Sequence, residues 1–176
     1  MFHSSLVREY LAGPTLVTDA VEGMTWEQVR AKPVPGRWST LEVVCHLADE
    51  EAAYAERMKQ VIAENEPTFM RAHPDEWVRR LALAQRNVEH ELRLIELIRC
   101  QMAHILRGLA PEDFQRRGVH RAEGPITLVA LLRRATDHIP HHVKFIQEKR
   151  VALRTTGPSG VLSGRRDIYS ANVSSY

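Results

Sequence analysis

Between Ser4 and Leu153 the apolar residues return every three or four positions, and no alternating run asks to be a strand. That spacing puts apolar side chains along one side of a helix, whereas a strand buries every second residue. Several amphipathic helices must then cover one another, which is the arrangement of a helical bundle. The first stretch, Ser4 to Gly23, sets Leu6, Tyr10, Val17 and Val21 on one side. Gly13-Pro14 interrupts it, so it either kinks there or restarts with Pro14 in a first turn. After the breaker cluster Lys32-Pro33-Val34-Pro35-Gly36 comes the clearest helix start in the chain. Ser39 and Glu42 form an S-x-x-E capping box, with Trp38 and Val43 at the positions of a hydrophobic staple. This second helix is expected to reach Ala63.

A third long helix is expected in one piece from His73-Pro74-Asp75-Glu76 to Arg107, with Gly108 as its C-cap. Residues Gly118 to Pro125 read as loop, and Thr127 caps a fourth helix from Leu128 to Leu153. The fold expected is all-α, an antiparallel four-helix bundle over residues 1–154. Residues 155–176 are rich in Ser and Gly and read as a loosely ordered tail. The other reading of this tail is an arm that packs on a partner subunit through Val161, Leu162, Ile168 and Tyr169.

Charge excludes one class of partner. Of the 176 residues, 24 are Lys or Arg and 22 are Asp or Glu, a formal charge of +2. The signs are interspersed, so no clustered basic surplus is present to neutralise nucleic-acid phosphates. No apolar run approaches the roughly 20 residues of a membrane span. Arg8 and Glu9 fall where a signal peptide would need an unbroken apolar stretch. Two cysteines, Cys45 and Cys100, are too few for a disulfide framework, so the expected compartment is a reducing cytosol. A homodimer is the base-rate expectation for assembly.

Nine histidines against four phenylalanines are the compositional oddity. His3, His73, His90 and His104 have ordinary explanations as terminal, turn or boundary residues. Asp137-His138-Ile139-Pro140-His141-His142 is different. His138 and His142 stand at i and i+4, one above the other on a helix, which is how two imidazoles from one helix reach one ion. They share the stripe of Leu131, Ala135 and Phe145; His141 is rotated by about 100° but, at i+3, is the other candidate. A third ligand must come from another helix, and His46 lies on the inner edge of the second one. Pro140, between the two histidines, removes the N–H that would bond to the Thr136 carbonyl and threatens a kink that re-aims the pair.

These residues carry a resemblance. PGRWSTLEVVCHLADEE is similar to the PGKWS-x-x-E-x-x-x-HL-x-D-x-E block of the DinB-like (YfiT-like) metal-dependent hydrolase superfamily. HRAEGPITLVALLRRATDHIPHH resembles the same family's H-x-x-x-G-x-x-TL block ending in H-x-x-x-H. The likeness spans Leu11 to Leu153 and implies a four-helix bundle with a metal triad on His46, His138 and His142. It also implies a possible use: some members are S-transferases that attach a low-molecular-weight thiol to electrophiles, and a related branch holds a thiol-dependent isomerase.

Three neutral imidazoles would leave the full charge on a divalent ion and at least one open position, for a water or a substrate thiol. They suit Zn, Ni and Fe alike. The expected function is metal-assisted activation of a low-molecular-weight thiol or water for transfer to a small electrophile. Two alternatives stand beside it, a non-catalytic metal-binding or interaction bundle and an apo bundle whose site Pro140 has broken. Among the acids, Glu50 and Glu51 are candidates to orient a ligand or a bound water, as is Asp49. His120 is expected at the site mouth, matching a position of the second block. Cys45 reads as a small buried residue, Asp137 as outward-facing, Arg37 and Trp38 as fixing the helix start, and Trp77 as core.

Overall fold

The computed structural model describes residues 2–70, 74–81 and 83–156. The expectations for residues 157–176 of the tail and for His73 fall outside them, while Thr155 and Thr156 continue the last helix. Among the described residues six α-helices occur: α1 (Phe2–Val21), α2 (Trp26–Arg30), α3 (Thr40–Ala63), α4 (Pro74–Arg80), α5 (Val88–Arg107) and α6 (Leu128–Thr156). The four long ones, α1, α3, α5 and α6, form the expected four-helix bundle. Helices α1 and α3 each pack on both α5 and α6 and lie diagonally to one another. No described helix is long and apolar enough to cross a membrane.

The direction of the helices follows from what they touch. Arg133 pairs with Glu9 at 2.8 Å and Arg150 donates to the Ala20 carbonyl at 2.9 Å, so α1 and α6 run the same way. Arg86, just before α5, pairs with Asp49 at 2.8 Å, and Lys59 donates to Gln101 at 2.6 Å, so α3 and α5 also run together. The antiparallel pairs are α1 with α5 and α3 with α6, so the four-helix bundle stands but it is antiparallel in only two of its four neighbouring pairs, not throughout as the sequence leads one to expect. The long connection from α3 to α5 carries the chain back along the bundle, so α5 starts at the same end as α3.

Local chemistry sets the ends of α3. Ser39 Oγ accepts from the Glu42 N–H at 3.1 Å and Glu42 returns a bond to the Ser39 N–H at 2.7 Å, the capping box anticipated from sequence. Thr127 Oγ1 likewise accepts from the Ala130 N–H at the start of α6.

Two further sequence expectations are corrected. The third helix is not one piece: α4 ends at Arg80, a 3-10 turn spans Leu83–Gln85, and Asn87 caps α5. Asn87 Oδ1 accepts from the N–H groups of Glu89 and His90, and Arg86 is drawn to Asp49 and Glu91. The break lets Leu83 drop into a cluster with Leu41 and Cys45. Gly118 to Pro125 is not loop either. Arg117–His120 and Gly124–Thr127 pair antiparallel, and Thr68–Phe69 adds a third, parallel strand. Gly118 is required there, since a Cβ would sit 2.4 Å from the Phe69 ring.

Beside the small cluster around Leu83, the core has two larger apolar clusters. One contains Tyr10, Met58, Met102, Leu106 and Leu132; the other contains Val17, Val44, Leu47, Ile95 and Ile139. Between them lies a buried polar layer around Arg99, which is fully buried. Pro14 has no N–H to give the Tyr10 carbonyl, and Arg99 Nη1 donates to that carbonyl instead, at 2.6 Å. Arg99 Nη2 bonds Glu51 and the Ala135 carbonyl, and the guanidinium lies 4.3 Å from the Tyr10 ring centre. One arginine thus ties α1, α3 and α6 to α5. Gly13 makes room for it: a Cβ there would lie 2.1 Å from Arg99 Nη1.

Candidate metal centre

One residue from α3 and two from α6 meet beside the second apolar cluster. The ligand atoms of His46, His138 and His142 all lie within 4.8 Å of one another. The Nε2 atoms of His46 and His138 are 3.2 Å apart. Two nitrogens about 2.05 Å from one tetrahedral ion stand roughly 3.3 Å apart, so this spacing fits a shared cation. The three ring centroids are separated by 5.1, 4.7 and 4.6 Å.

Burial keeps the cluster in the form a cation needs. It pushes the His46 imidazole down to about 4 and those of His138 and His142 down to about 3, with mutual repulsion a further cause for the α6 pair. All three are neutral at pH 7 and present lone pairs. The Nδ1 atoms of His138 and His142 are buried without a hydrogen-bond partner. Metal-binding histidines usually fix their orientation through that atom. Here aromatic edges surround the rings instead: Trp38 lies 5.2 Å from His46, Tyr54 5.8 Å from His138 and Phe145 5.7 Å from His142.

Pro140 leaves α6 continuous and keeps His138 beside His142. His141 is exposed and outside the cluster; its ring packs edge-on against His142 and Phe145. Asp137 is also exposed.

The expected acids part company. Glu50 lines a cleft of about 250 Å³ with His46, His138, Tyr54, Arg57 and His120. It is only 7% exposed, and burial raises its carboxyl above the usual range. Glu51, on the next position of the helix, turns into the core and pairs with Arg99 and the Tyr10 hydroxyl, away from the histidines. Asp49 is held by Arg86 in a two-bond pair of 2.8 and 3.0 Å. His120, on the middle strand of the small sheet, lines this cleft and lies 3.6 Å from Glu123. Cys45 is fully buried and its thiol is pushed up to about 12 by burial, so it offers no thiolate.

A second cleft, of about 310 Å³, opens on the other side of His142. Arg37, Trp38 and Lys149 help to line it, so the first two do more than start α3. Sequence reasoning passed over Lys149, although it stands two turns beyond His142 on the same face of α6.

Comparison with known proteins agrees with this geometry. The sequence model of the DinB superfamily matches residues 9–146. A "Putative metal-dependent hydrolase" of Geobacillus thermodenitrificans is 29% identical over 157 residues, covering 85% of this chain and 86% of that protein. One of Oceanobacillus iheyensis bearing the same description is 29% identical over 133 residues, with 76% and 77% covered. Among solved structures, YfiT from Bacillus subtilis superposes with a TM-score of 0.81 at 24% identity, over 86% of this chain and 87% of its own. It is described as a probable metal-dependent hydrolase with an unusual four-helix bundle topology.

Proposed function

Because the chain belongs to the DinB superfamily, we propose that it is a metal-dependent enzyme acting on a small electrophile, with His46, His138 and His142 holding one divalent cation. The observation that carries this reading is the convergence of three neutral imidazoles from two helices within 4.8 Å. Bound there, a cation would supply Lewis acidity and stabilise the deprotonated form of a thiol or water. Zn, Ni and Fe all suit three nitrogen ligands.

The chain's own residues divide the remaining work. Glu50 is the proton acceptor: it faces the cleft with His46 and His138, and burial holds its carboxyl nearer neutrality, where a general base works best. Its carboxylate takes the proton from the thiol or water. The sulfur or oxygen then forms the new bond to the electrophilic carbon, and the leaving group departs with its bonding electrons. Arg57 and His120, in the same lining, supply donors to a polar substrate. Arg99 and Glu51 hold α3 against α6 one layer below, and so position the triad without touching it.

The names of the relatives favour water as the nucleophile, whereas the resemblance of the two histidine blocks favours a thiol. Elemental analysis of untagged protein, purified without an immobilised-metal column, tests the site. About one metal per chain is expected, lost in a His138→Ala/His142→Ala double variant. Loss of chlorodinitrobenzene with cysteine, with glutathione and with no thiol then separates S-transfer from hydrolysis. No metal in either protein would overturn the reading.

A further inference from the structure

The cleft on the far side of His142 has a lining unlike that beside Glu50. Its walls are Trp38, Val43 and Phe145, with Arg37 and Lys149 as its cations and His142 joining it to the triad. Lys149 is 2% exposed, and its ammonium has one partner, the Phe145 carbonyl one turn back, at 3.0 Å. Among the described residues no carboxylate pairs with it, nor with Arg37. Both cations lie over the same ring: Arg37 Cζ is 6.0 Å and Lys149 Nζ 5.9 Å from the Phe145 centroid.

A buried ammonium ordinarily finds a carboxylate, because desolvating a charge without one is costly. Lys149 has unused donors beside a cleft that contains a second cation. The one acid in the lining, Asp75, is exposed on α4, so the lining keeps a surplus of positive charge. The carboxylates whose charge reaches Lys149 are Glu148, exposed at the preceding position of α6, and Glu42 on α3, which is engaged by Lys32 and by the Ser39 N–H. A volume of about 310 Å³ between an indole and a phenyl ring suits a ligand with an apolar or aromatic body.

We propose that this cleft is a carboxylate-binding subsite, in which Lys149 and Arg37 receive the carboxylate of a small ligand whose apolar body lies between Trp38 and Phe145. The inference deepens the proposed function, since it names the class of substrate or cosubstrate that would be held against the His142 side of the triad. Recognition itself needs no metal.

The test therefore uses metal-free full-length protein at pH 7.5 and a pair of isosteric probes, phenylacetate and phenylacetamide. Binding is read from the Trp38 indole N–H resonance, assigned with Trp38→Phe. Phenylacetate should bind at least about tenfold more tightly than the amide, the scale of one charge-assisted contact. Lys149→Met, which keeps the volume and removes the charge, should bring the ratio to near unity. Arg37→Gln, at an exposed position, should lower it severalfold and keeps the proposal testable if the buried substitution disturbs folding. Equal affinities in the wild-type protein, or a ratio that survives both substitutions, would overturn it. If the wild-type protein discriminates between the probes but takes up no cation when one is supplied, the subsite stands and the metal reading alone falls.

Discussion

Adding a divalent cation to the metal-free protein at pH 6.0 should release almost no protons. A solvated histidine titrating near 6.5 is about three-quarters protonated at that pH, so three of them would give up roughly 2.3 protons on binding. In the folded chain His46 titrates at about 4 and His138 and His142 at about 3, because burial penalises the imidazolium. At pH 6.0 each then carries about a hundredth of a proton or less. Ionisation of a ligated water with a pKa near 7 would add about a tenth. The expected total is well below half a proton per cation. Calorimetric titration with Zn²⁺ in buffers of different ionisation enthalpy measures this number directly. Release of two or more protons would refute the reasoning, since the imidazoles would then be solvated and charged before the cation arrives.

The same displacement makes the metal-free protein acid-sensitive. Because the folded values lie below the unfolded value near 6.5, the unfolded chain binds more protons below that pH, and stability falls as pH drops from 6.5 towards 4. For His46 and His138 together the loss at pH 5.5 is roughly 2–3 kcal/mol, read as a lower Tm, and bound metal should oppose it; a flat profile would contradict the burial argument. Glu50→Gln should keep the metal stoichiometry and lower turnover by at least about 10²-fold, and unchanged turnover would remove Glu50 from the chemistry. Gly13→Ala should reverse the usual helix rule: alanine gains about 1 kcal/mol in a helix, but here its Cβ would fall 2.1 Å from Arg99 Nη1. Overpacking and loss of the Arg99 pairing should leave a net destabilisation of roughly 2–4 kcal/mol, and a raised Tm would show that Arg99 does not need that space.

What was legible in the sequence was what neighbours along the chain decide. The Ser39–Glu42 box needs residues three apart and forms as read, and the His138–His142 pair needs residues four apart, whose rings lie side by side. His46 could be added because its helix carried its own start signal and stripe. The break before α5 was hidden by apolar spacing that continues from Leu81 to Val88, although Asn87 was a readable cap. The small sheet was hidden because its strands are two to four residues long and Thr68 finds Val119 across the chain. Arg99 gave no sign of burial, since its partners Tyr10, Glu51 and Ala135 come from three other helices. Glu51 is placed near the histidines by its match to the acidic position of the family block, and it is Arg99 that claims it.

Pro140 brings the two kinds of information together. It lies two residues from each of His138 and His142, about 200° around the helix from both, so it faces away from the cluster. It is exposed, α6 continues through it, and the two rings remain 4.6 Å apart. The lost hydrogen bond is therefore on the outer side, while Arg99 grips the inner side at the Ala135 carbonyl, one turn before His138. On this argument the proline is tolerated by the site and not part of it. Pro140→Ala restores an N–H and removes a helix-interior penalty of about 3 kcal/mol, less whatever the fold has already accommodated. A rise in Tm of roughly 5 °C or more should follow for a domain of this size. Metal affinity should change by less than about tenfold, because an unbent i, i+4 pair also reaches one ion. If the variant melts higher but no longer takes up metal, the bend at Pro140 is what aims His138 and His142, and the site depends on a residue that touches neither the ion nor its ligands.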